Sequence, residues 1–337
     1  MSSDPGQRII DYLSLARRVL VTTHVSPDGD ALGCCAAAVL ALRQKSIDSQ
    51  VLLLSHLPRK YEFIFTEHSI PFVDAEKGLP ADFSLHSFDC LLVLDTGTWS
   101  QLPTLRPPVE NWSAPKLIID HHLTQETWGD VRLVDPTAAA TGEIVHDLLV
   151  RWGIGIDHAI AEALYLAIIT DTGWFQFSNT RPQTLRRAAA LMEVGVDTDK
   201  MHKALYQNEH AARVRLQTRA MQSLDLQAQD RLAVMTLTTG DFAASGASLP
   251  DTENLINLPL QIASVEVSIL VTENLHGGPT RISLRSKGAV DVSKLAEQFG
   301  GGGHARAAGM KIEAPLAEAR ARVIQAVLPL FSRPDAP

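Results

Sequence analysis

Short apolar runs that do not alternate with polar residues recur along the first part of the chain. They lie at residues 19–23, 51–54, 91–94 and 117–119. Strands that are buried on both faces carry this pattern, and such strands form parallel sheets that helices cover. An Ala- and Leu-rich segment at about 31–44 follows the first run and predicts a helix. The N-terminal part is therefore expected to be an α/β domain with a doubly wound, mainly parallel sheet.

Helical patterns continue to about residue 227, and the last of them is long and polar. They cover about residues 8–17, 138–151, 158–169, 184–194 and 209–227. Beyond this point the pattern changes to strands, which are predicted at 231–237, 265–271 and 281–284, and to a final helix at about 316–331. The last two strands are separated by a predicted Gly-Gly turn at 277–278.

The change of pattern near residues 195–228 indicates a boundary between domains. A chain of 337 residues is long enough to bury two cores. We expect a larger N-terminal domain at residues 1–195, a helical linker at 196–228 and a smaller C-terminal α/β domain at 229–337.

The composition indicates in which cellular compartment the protein is expected. The three cysteines, two of them adjacent, make a poor disulfide framework and suit a reducing cytoplasm. The first residues lack the features of a signal peptide, and no apolar run approaches the roughly 18 residues that span a bilayer. We therefore expect a cytoplasmic protein that is not associated with a membrane.

The net charge of −8 disfavours tight binding to long nucleic acid, which requires many phosphate contacts. We therefore expect no binding of long duplex DNA. The charge is uneven, however, because nine Lys and Arg stand against five Asp and Glu from Arg281 onward. An acidic N-terminal part suits the binding of cations, and a basic C-terminal segment suits the binding of anions.

Four clusters of acidic and histidine residues follow apolar segments. They are His24-Val-Ser-Pro-Asp28-Gly-Asp30, then Asp95, then Asp120-His121-His122, and finally Asp171. The first three follow predicted strands, and the fourth ends an apolar helix. Because ligands bind outside the carboxyl ends of the strands in an open parallel sheet, we expect the first three to converge in one crevice.

A single Asp after a strand is more often a helix cap or a turn former than a ligand. Four clusters in one crevice are different, because their carboxylates would repel each other unless cations neutralised them. Mixed His and Asp ligands favour Mn²⁺, Fe²⁺ or Zn²⁺ over Ca²⁺. Two such ions about 3.5–4 Å apart can activate a water and clamp a phosphoryl group. The spacing would let Asp28 and Asp30 serve different ions, and Asp95 would be free to bridge both.

These segments resemble a known family. The four successive motifs of the DHH phosphoesterase superfamily are similar to HVSPDGDALG, LVLDTG, IIDHH and ITDTGWF. The associated DHHA1 domain is similar to Arg281-Ile-Ser-Leu-Arg-Ser-Lys and the later FGGGGHARAAG at 299–309. The resemblance spans nearly the whole chain in the expected order. It implies a DHH domain followed by a smaller DHHA1 domain, with the active site in the cleft between them.

The compact layout is most similar to the branch of nano-RNases and pAp phosphatases. Those enzymes degrade very short RNAs to mononucleotides, and many remove the 3′-phosphate of pAp. The resemblance therefore implies a short RNA or a small nucleotide as substrate and a homodimer as the assembly. It leaves open which of these substrates is preferred and from which end an RNA is attacked.

The same resemblance implies two divalent metal ions, Mn²⁺ first, with Mg²⁺ or Co²⁺ as alternatives. One ion would be held by His24, Asp28 and Asp95. The other would be held by Asp30, Asp95, His121 and Asp171. Asp120 would orient a ligand histidine, as metal sites commonly require, and His122 would face the scissile phosphate.

The C-terminal motif also has a physical interpretation. Glycines at 300–303 let the backbone approach a ligand closely and present N–H groups to an anion, although a flexible loop is the alternative. Arginine suits a bidentate grip on a terminal phosphate. The predicted substrate-binding residues are Arg281, Arg285, Ser286, Gly301, Gly302, Gly303, His304 and Arg306. A pocket that holds one end of the substrate would restrict the enzyme to short molecules.

Three weaker assignments and two rival functions remain. Ser178, Asn179 and Arg181 form a polar loop that could contact substrate, whereas Cys34 and Cys35 are expected to be small core residues.

A cyclic-dinucleotide or pApA phosphodiesterase would use the same site on another substrate. A non-catalytic nucleotide sensor would have lost metal ligands, and the matched ligand positions are all intact.

Overall fold

The structure is a computed structural model that describes residues 3–275, 277–288 and 290–331. It divides into two compact units, Met1–Asn208 and Glu209–Pro337, and each contains one six-stranded sheet. The two sheets confirm the α/β class and the mainly parallel N-terminal sheet predicted from the sequence.

All strands of the first unit run parallel, in the spatial order β3-β2-β1-β4-β5-β6. Their bounds are β1 Arg18–Thr22, β2 Asp48–Leu53, β3 Phe72–Asp74, β4 Cys90–Leu94, β5 Lys116–Asp120 and β6 Val131–Val134. Strands β1, β2 and β3 follow one another toward one edge of the sheet, and β4, β5 and β6 follow one another toward the other edge. The order therefore reverses between β1 and β4, which is the point where open α/β sheets bind their ligands.

Eight α-helices accompany this sheet in the described part of the first unit. They are α1 Pro5–Leu15, α2 Gly29–Gln44, α3 Glu62–Glu67, α4 Arg106–Glu110, α5 Thr141–Arg151, α6 His158–Asp171, α7 Pro182–Glu193 and α8 Thr198–Tyr206. The helices α2 and α6 pack closely, because a Cβ on Gly33 would lie only 2.4 Å from the Ala163 carbonyl oxygen. Both helices carry mostly buried residues, Cys34 and Cys35 among them, as expected for small core side chains.

Residues of the central strands alternate between two apolar cores, one on each face of the sheet. In β1, Val19 and Val21 contribute to the core beneath α2 and α6. Leu20 contributes to the opposite core, with Trp99 and Trp112. Because each face is covered, these strands contain no polar alternation, which explains the uninterrupted apolar runs in the sequence.

The second unit has a mixed sheet in the order β11-β12-β10-β9-β8-β7, in which β8 and β9 are parallel and the other pairs are antiparallel. Its strands are β7 Asp225–Gln227, β8 Leu232–Leu237, β9 Val267–Thr272, β10 Thr280–Ser286, β11 Gly302–His304 and β12 Ala307–Ile312. Its helices are α9 Ala211–Gln222, α10 Thr239–Ser245, α11 Val292–Glu297 and α12 Leu316–Val327. One apolar cluster covers one face of this sheet, and a second covers β8 and β9 on the other face.

The region predicted as a linker, 196–228, contributes to both units. Helix α8 belongs to the first unit, and α9 and β7 belong to the second. The helix predicted at 209–227 is wrong at its C-terminal end, because Asp225–Gln227 pairs with β8 as a strand. Pairing with a neighbouring strand outweighs local helical preference there. Among the described residues, no helix is long and apolar enough to cross a membrane.

Candidate metal centre and anion-binding groove

Three adjacent strands of the first unit end in acidic or histidine residues. His24 lies two residues beyond β1, Asp95 directly follows β4, and Asp120 ends β5. Since β4 lies between β1 and β5 and all three are parallel, their side chains meet at one edge of the sheet. Asp171 joins them as the last residue of α6. The structure thus brings together the four clusters that the sequence singled out.

His24, Asp28 and Asp95 form one group, in which one possible ligand atom of each lies within 4.8 Å of the others. His24 Nε2 is 3.4 Å from Asp95 Oδ2 and 4.0 Å from Asp28 Oδ1. Its Nδ1 lies 2.9 Å from the Val25 carbonyl oxygen, which fixes Nδ1 as the protonated nitrogen. This tautomer leaves the lone pair of Nε2 facing the carboxylates, as a metal ligand requires.

Asp30, His121 and Asp171 form a second group by the same distance limit of 4.8 Å. His121 Nε2 is 3.4 Å from Asp171 Oδ2 and 4.0 Å from Asp30 Oδ2. The Nδ1 atom of His121 lies 3.2 Å from the Ala138 carbonyl oxygen. Both histidines therefore have one nitrogen held by the backbone and the other directed at carboxylates.

Asp95 reaches both groups. Its Oδ2 is 3.4 Å from His24 Nε2, and its Oδ1 is 3.7 Å from His121 Nε2. The residue is only 2% exposed. It also adopts a left-handed backbone conformation with φ of 63°, which is uncommon outside glycine and clusters at functional sites. The arrangement is the one that a carboxylate shared between two cations needs.

The electrostatics of the site fit bound cations. Burial, together with the charges of Asp95, Asp171 and Asp28, raises the pKa of Asp30 well above its usual range. Burial and the nearby Asp95 and Asp28 likewise raise the pKa of Asp171 to about 6, although His121 opposes the shift. Within the described ranges, the ion-pair partners of these carboxylates are histidines and include no Lys or Arg. Divalent cations would supply the missing positive charge, and the mixed His and Asp donors suit transition metals.

Asp120 orients a different histidine from the one expected. Its Oδ1 accepts a hydrogen bond of 2.7 Å from Nδ1 of His122, whereas His121 donates only its backbone N–H, at 2.8 Å. The prediction that Asp120 orients a ligand histidine is therefore wrong in its partner. The physical reason is that Nδ1 of His121 is already bound to Ala138, and the turn after β5 places the ring of His122 beside Asp120.

His122 is protonated at neutral pH, and its partner Asp120 is ionised. The hydrogen bond to Asp120, aided by Asp95 and opposed by burial, raises the pKa of His122 to about 9. Burial would raise the pKa of Asp120, but hydrogen bonds from His122 and Gln125 outweigh it and lower that pKa. Because the folded state raises the pKa of His122, the resulting stabilisation is complete below about 6.5 and is lost as the pH rises through about 9. His122 also lies 3.8 Å from Asp95, but its Nδ1 is occupied, which favours a role as a hydrogen-bond donor.

Several residues that contact the candidate ligands were missed by the sequence analysis. Thr141 and Gly142, at the start of α5, donate hydrogen bonds to Asp30, and the Thr141 hydroxyl donates to Asp95. The polar loop at 178–181 also has a different role from the one expected. Asn179 donates to the backbone of Ala139, and Arg181 pairs with Glu143. These contacts are internal to the fold, whereas the sequence only suggested that this loop could contact substrate.

A groove of about 820 Å³ lies on one face of the sheet in the second unit. Its lining consists of Arg281, Ile282, Ser283, Arg285, Gly300, Gly301, Gly302, Gly303, Ala307, Ala308, Gly309, Met310 and Lys311. Arg281 and Arg285 share a face of β10, and Lys311 is the register partner of Arg281 on β12. Burial lowers the pKa of Arg285 below its ordinary value. None of the three cations forms an ion pair with a described carboxylate, so together they suit an anionic ligand.

Part of the glycine run forms a strand. Residues Gly302–His304 form β11, which pairs with β12. A Cβ on Gly301 would lie 2.3 Å from the Gly309 carbonyl oxygen, and one on Gly303 would lie 2.4 Å from that of Ala307. Glycine is therefore required by the close approach of two strands, and the alternative of a flexible loop does not hold for these positions.

Two predicted substrate-binding residues lie elsewhere. Ser286 is buried on the opposite face of β10, where its hydroxyl donates to the Val290 carbonyl oxygen at 2.7 Å. The prediction for Ser286 is therefore wrong, because strand alternation separates it from Arg285. Arg306 lies in the turn between β11 and β12 and does not line the groove. The side chain of His304 lies outside the described part of the structure.

Comparison with known proteins places the chain in a family. Residues 18–168 match the model of the DHH family, N-terminal domain, and residues 230–332 match that of the DHHA1 domain. With a relative 30% identical over 92% of this chain, these matches show that the chain belongs to the DHH/DHHA1 phosphoesterase family. The resemblance inferred from the motifs is thereby confirmed.

Two bacterial relatives bear the same description, bifunctional oligoribonuclease and PAP phosphatase NrnA. The protein from Thermus thermophilus is 30% identical over 92% of this chain and 89% of its own length. The protein from Bacillus subtilis is 25% identical over 90% of this chain and 92% of its own.

Solved structures show the same fold. A crystal structure of an exopolyphosphatase-related protein from Bacteroides fragilis covers 98% of each chain with a TM-score of 0.84 and 23% identity. Exonuclease RecJ bound to manganese covers 98% of this chain and 94% of its own, with a TM-score of 0.51 and 14% identity.

Replacing Asp120 by Asn should lower the pKa of His122 from about 9 toward the ordinary value near 6.5, because the carboxylate that stabilises the protonated ring is removed. The pKa can be measured from the pH dependence of the ring signals of His122 in NMR spectra of the metal-free protein. Gln125→Ala is the control, since it removes a neutral donor to Asp120 and leaves the carboxylate charge beside His122 in place. A pKa that stays near 9 in Asp120→Asn would show that another group holds the proton.

Proposed function

We propose that this protein is a metal-dependent phosphoesterase that hydrolyses very short oligoribonucleotides to mononucleotides and removes the 3′-phosphate of pAp. The observation that carries the proposal is the position of Asp95, whose two oxygens face two separate groups of His and Asp donors. The names of the two NrnA relatives, which are matched over most of their length, support the choice of substrates.

Two divalent ions are proposed to bind here, with Mn²⁺ as the first candidate and Mg²⁺ or Co²⁺ as alternatives. His24, Asp28 and Asp95 would hold one, and the other would be held by Asp30, Asp95, His121 and Asp171. When bound, such ions would supply Lewis acidity and a more acidic water at the phosphorus centre. The manganese in the RecJ structure, which has the same fold, supports this choice of metal.

His122 is proposed to stabilise the negative charge that develops on the phosphoryl group. Its side chain is 53% exposed, so its ring can reach a ligand from solvent. Asp120 holds Nδ1 and keeps the ring protonated at neutral pH, which leaves Nε2–H as the donor to an anion. A cation fixed before the reaction stabilises the transition state without reorganisation.

The groove of the second unit is proposed to hold one end of the substrate. Arg281, Arg285 and Lys311 would grip a terminal phosphate, and the glycines would let it approach the backbone. A site for one nucleotide agrees with the acidic character of the chain as a whole, because a long RNA would require many more cations. The homodimer implied by the family resemblance stays a prediction.

The substrate assignment can be tested by measuring hydrolysis of pAp, pApA, a five-nucleotide RNA, a long RNA, cyclic di-AMP and pyrophosphate with Mn²⁺. We expect turnover of pAp and the short RNAs and little turnover of the long RNA. Asp95→Asn should abolish the activity, because it removes the charge shared by the two groups and leaves the side-chain size unchanged.

A preference for cyclic di-AMP or pyrophosphate would retain the metal site and overturn the substrate assignment. If Mn²⁺ bound but no substrate in the panel were hydrolysed, the enzymatic proposal would give way to that of a nucleotide sensor. Activity retained in Asp95→Asn would remove the central role of the shared carboxylate.

The groove can be tested with two neighbouring residues of β10 that face opposite ways. Arg285→Gln should raise KM for pAp about tenfold or more and change kcat less, because it removes a charged hydrogen-bond donor from the groove. Ser286→Ala should leave KM unchanged, since the Ser286 side chain faces the core. Equal KM values in both variants would exclude the groove as a substrate site.

A further inference from the structure

Thr141 contacts two of the candidate metal ligands at once. Its hydroxyl donates to Asp95 Oδ1 at 2.7 Å, and its backbone N–H donates to Asp30 Oδ2 at 2.7 Å. The next residue, Gly142, donates its N–H to Asp30 Oδ1 at 2.9 Å. Thr141 is completely buried, so water does not compete for these hydrogen bonds. One residue thus restrains the shared carboxylate and a carboxylate of the second group.

The local sequence explains why these donors are available. The first N–H groups of a helix have no acceptor within the helix, and the residue before α5, Ala140, has no side chain that could cap them. The carboxylate of Asp30 takes that place from α2, 111 residues earlier in the chain. The absence of a side chain on Gly142 permits the approach, because a Cβ there would lie 2.6 Å from Ala167 Cβ and 3.4 Å from Asp30 Oδ1.

The residues just before Thr141 are linked to the other two ligands of the second group, to His121 directly and to the backbone of Asp171 through Asn179. The Ala138 carbonyl oxygen lies 3.2 Å from Nδ1 of His121 and fixes the tautomer of that ring. The side-chain amide of Asn179 donates to the carbonyl oxygens of Ala139 and Asp171, at 2.9 Å and 3.1 Å. The segment 138–142 therefore contacts, directly or through Asn179, four of the six candidate ligands.

The buried carboxylate of Glu143 links the segment 138–142 to helix α7. Glu143 is 2% exposed, and its Oε2 accepts hydrogen bonds from the Ala139 N–H at 3.1 Å and from Arg181 at 3.2 Å. Arg187 lies 3.6 Å from the other carboxylate oxygen. Both arginines lie at or within α7, so the segment is fixed to an element outside the metal centre.

We propose that the segment 138–142 sets the spacing of the metal ligands and that Thr141 is its principal positioning residue. The inference rests on the proposed metal-dependent function and extends it. The Thr141 hydroxyl fixes the rotation of the Asp95 carboxylate, so that one oxygen faces each group of ligands. Partners of this kind hold a ligand in its binding geometry before the metal arrives.

The proposal can be tested with two substitutions at Thr141. Thr141→Val keeps the shape and removes the hydroxyl, whereas Thr141→Ser keeps the hydroxyl and removes a methyl group. Isothermal titration calorimetry of the metal-free proteins with Mn²⁺ should show affinity weakened about 10–100-fold in Thr141→Val and nearly unchanged in Thr141→Ser. At saturating Mn²⁺, KM for pAp should be the same in both variants, because Thr141 is completely buried.

Unfolding in urea separates positioning from loss of fold, since a cooperative transition shows that the Val variant is folded. Glu143→Gln gives a second test away from the ligands, and we expect it to weaken Mn²⁺ binding in the same direction by releasing the anchor. Equal Mn²⁺ affinity in wild type and in a folded Thr141→Val would overturn this inference and leave the proposed function standing. If the wild type bound no divalent ion, the proposed function itself would fail, and the inference with it.

Discussion

The main constraint on the first unit is the mutual repulsion of the carboxylates that its fold brings close together. Parallel strands end at one edge, so Asp95 and Asp120 must lie near the residues after β1, and α6 adds Asp171 to the same place. Burial raises the free energy of the charged forms further and raises the pKa of Asp30 and Asp171. Part of the charge is offset by hydrogen bonds from the N-terminus of α5 and by the histidines, and the remainder is the charge that the proposed cations would neutralise.

Each of the two units supplies one kind of charge. The first unit buries acidic groups beside the switch point of its sheet, where they can attract cations. The second unit places three cations, which have no ion-pair partner among the described residues, on one face of its sheet beside the glycines at 300–303. A phosphate ester requires both kinds of charge, since its own oxygens are negative and the metals that activate it are positive. The division of charge along the sequence is therefore a consequence of the chemistry that we propose.

The sequence predicted those features that depend on local pattern. The apolar runs before His24 and Asp95 mark strands buried on both faces, and the end of an apolar helix marks Asp171. The contacts of Thr141 could not be predicted in this way, because its partners lie 46 and 111 residues away and depend on how α2, α5 and β4 pack. Lys311 was missed because the glycine run did not predict strands, whereas residues 302–312 form the hairpin of β11 and β12. The error at Ser286 arose because the predicted strand ended at residue 284, whereas β10 continues to Ser286 and its alternation places that side chain opposite Arg285.

We propose that Asp95 is shared by two cations. Anomalous diffraction from crystals soaked in Mn²⁺ would locate the metal independently of activity. Two peaks are expected, one among His24, Asp28 and Asp95 and the other among Asp30, His121 and Asp171, with an oxygen of Asp95 beside each. Absence of peaks at this edge of the sheet, or a peak that Asp95 does not contact, would contradict it.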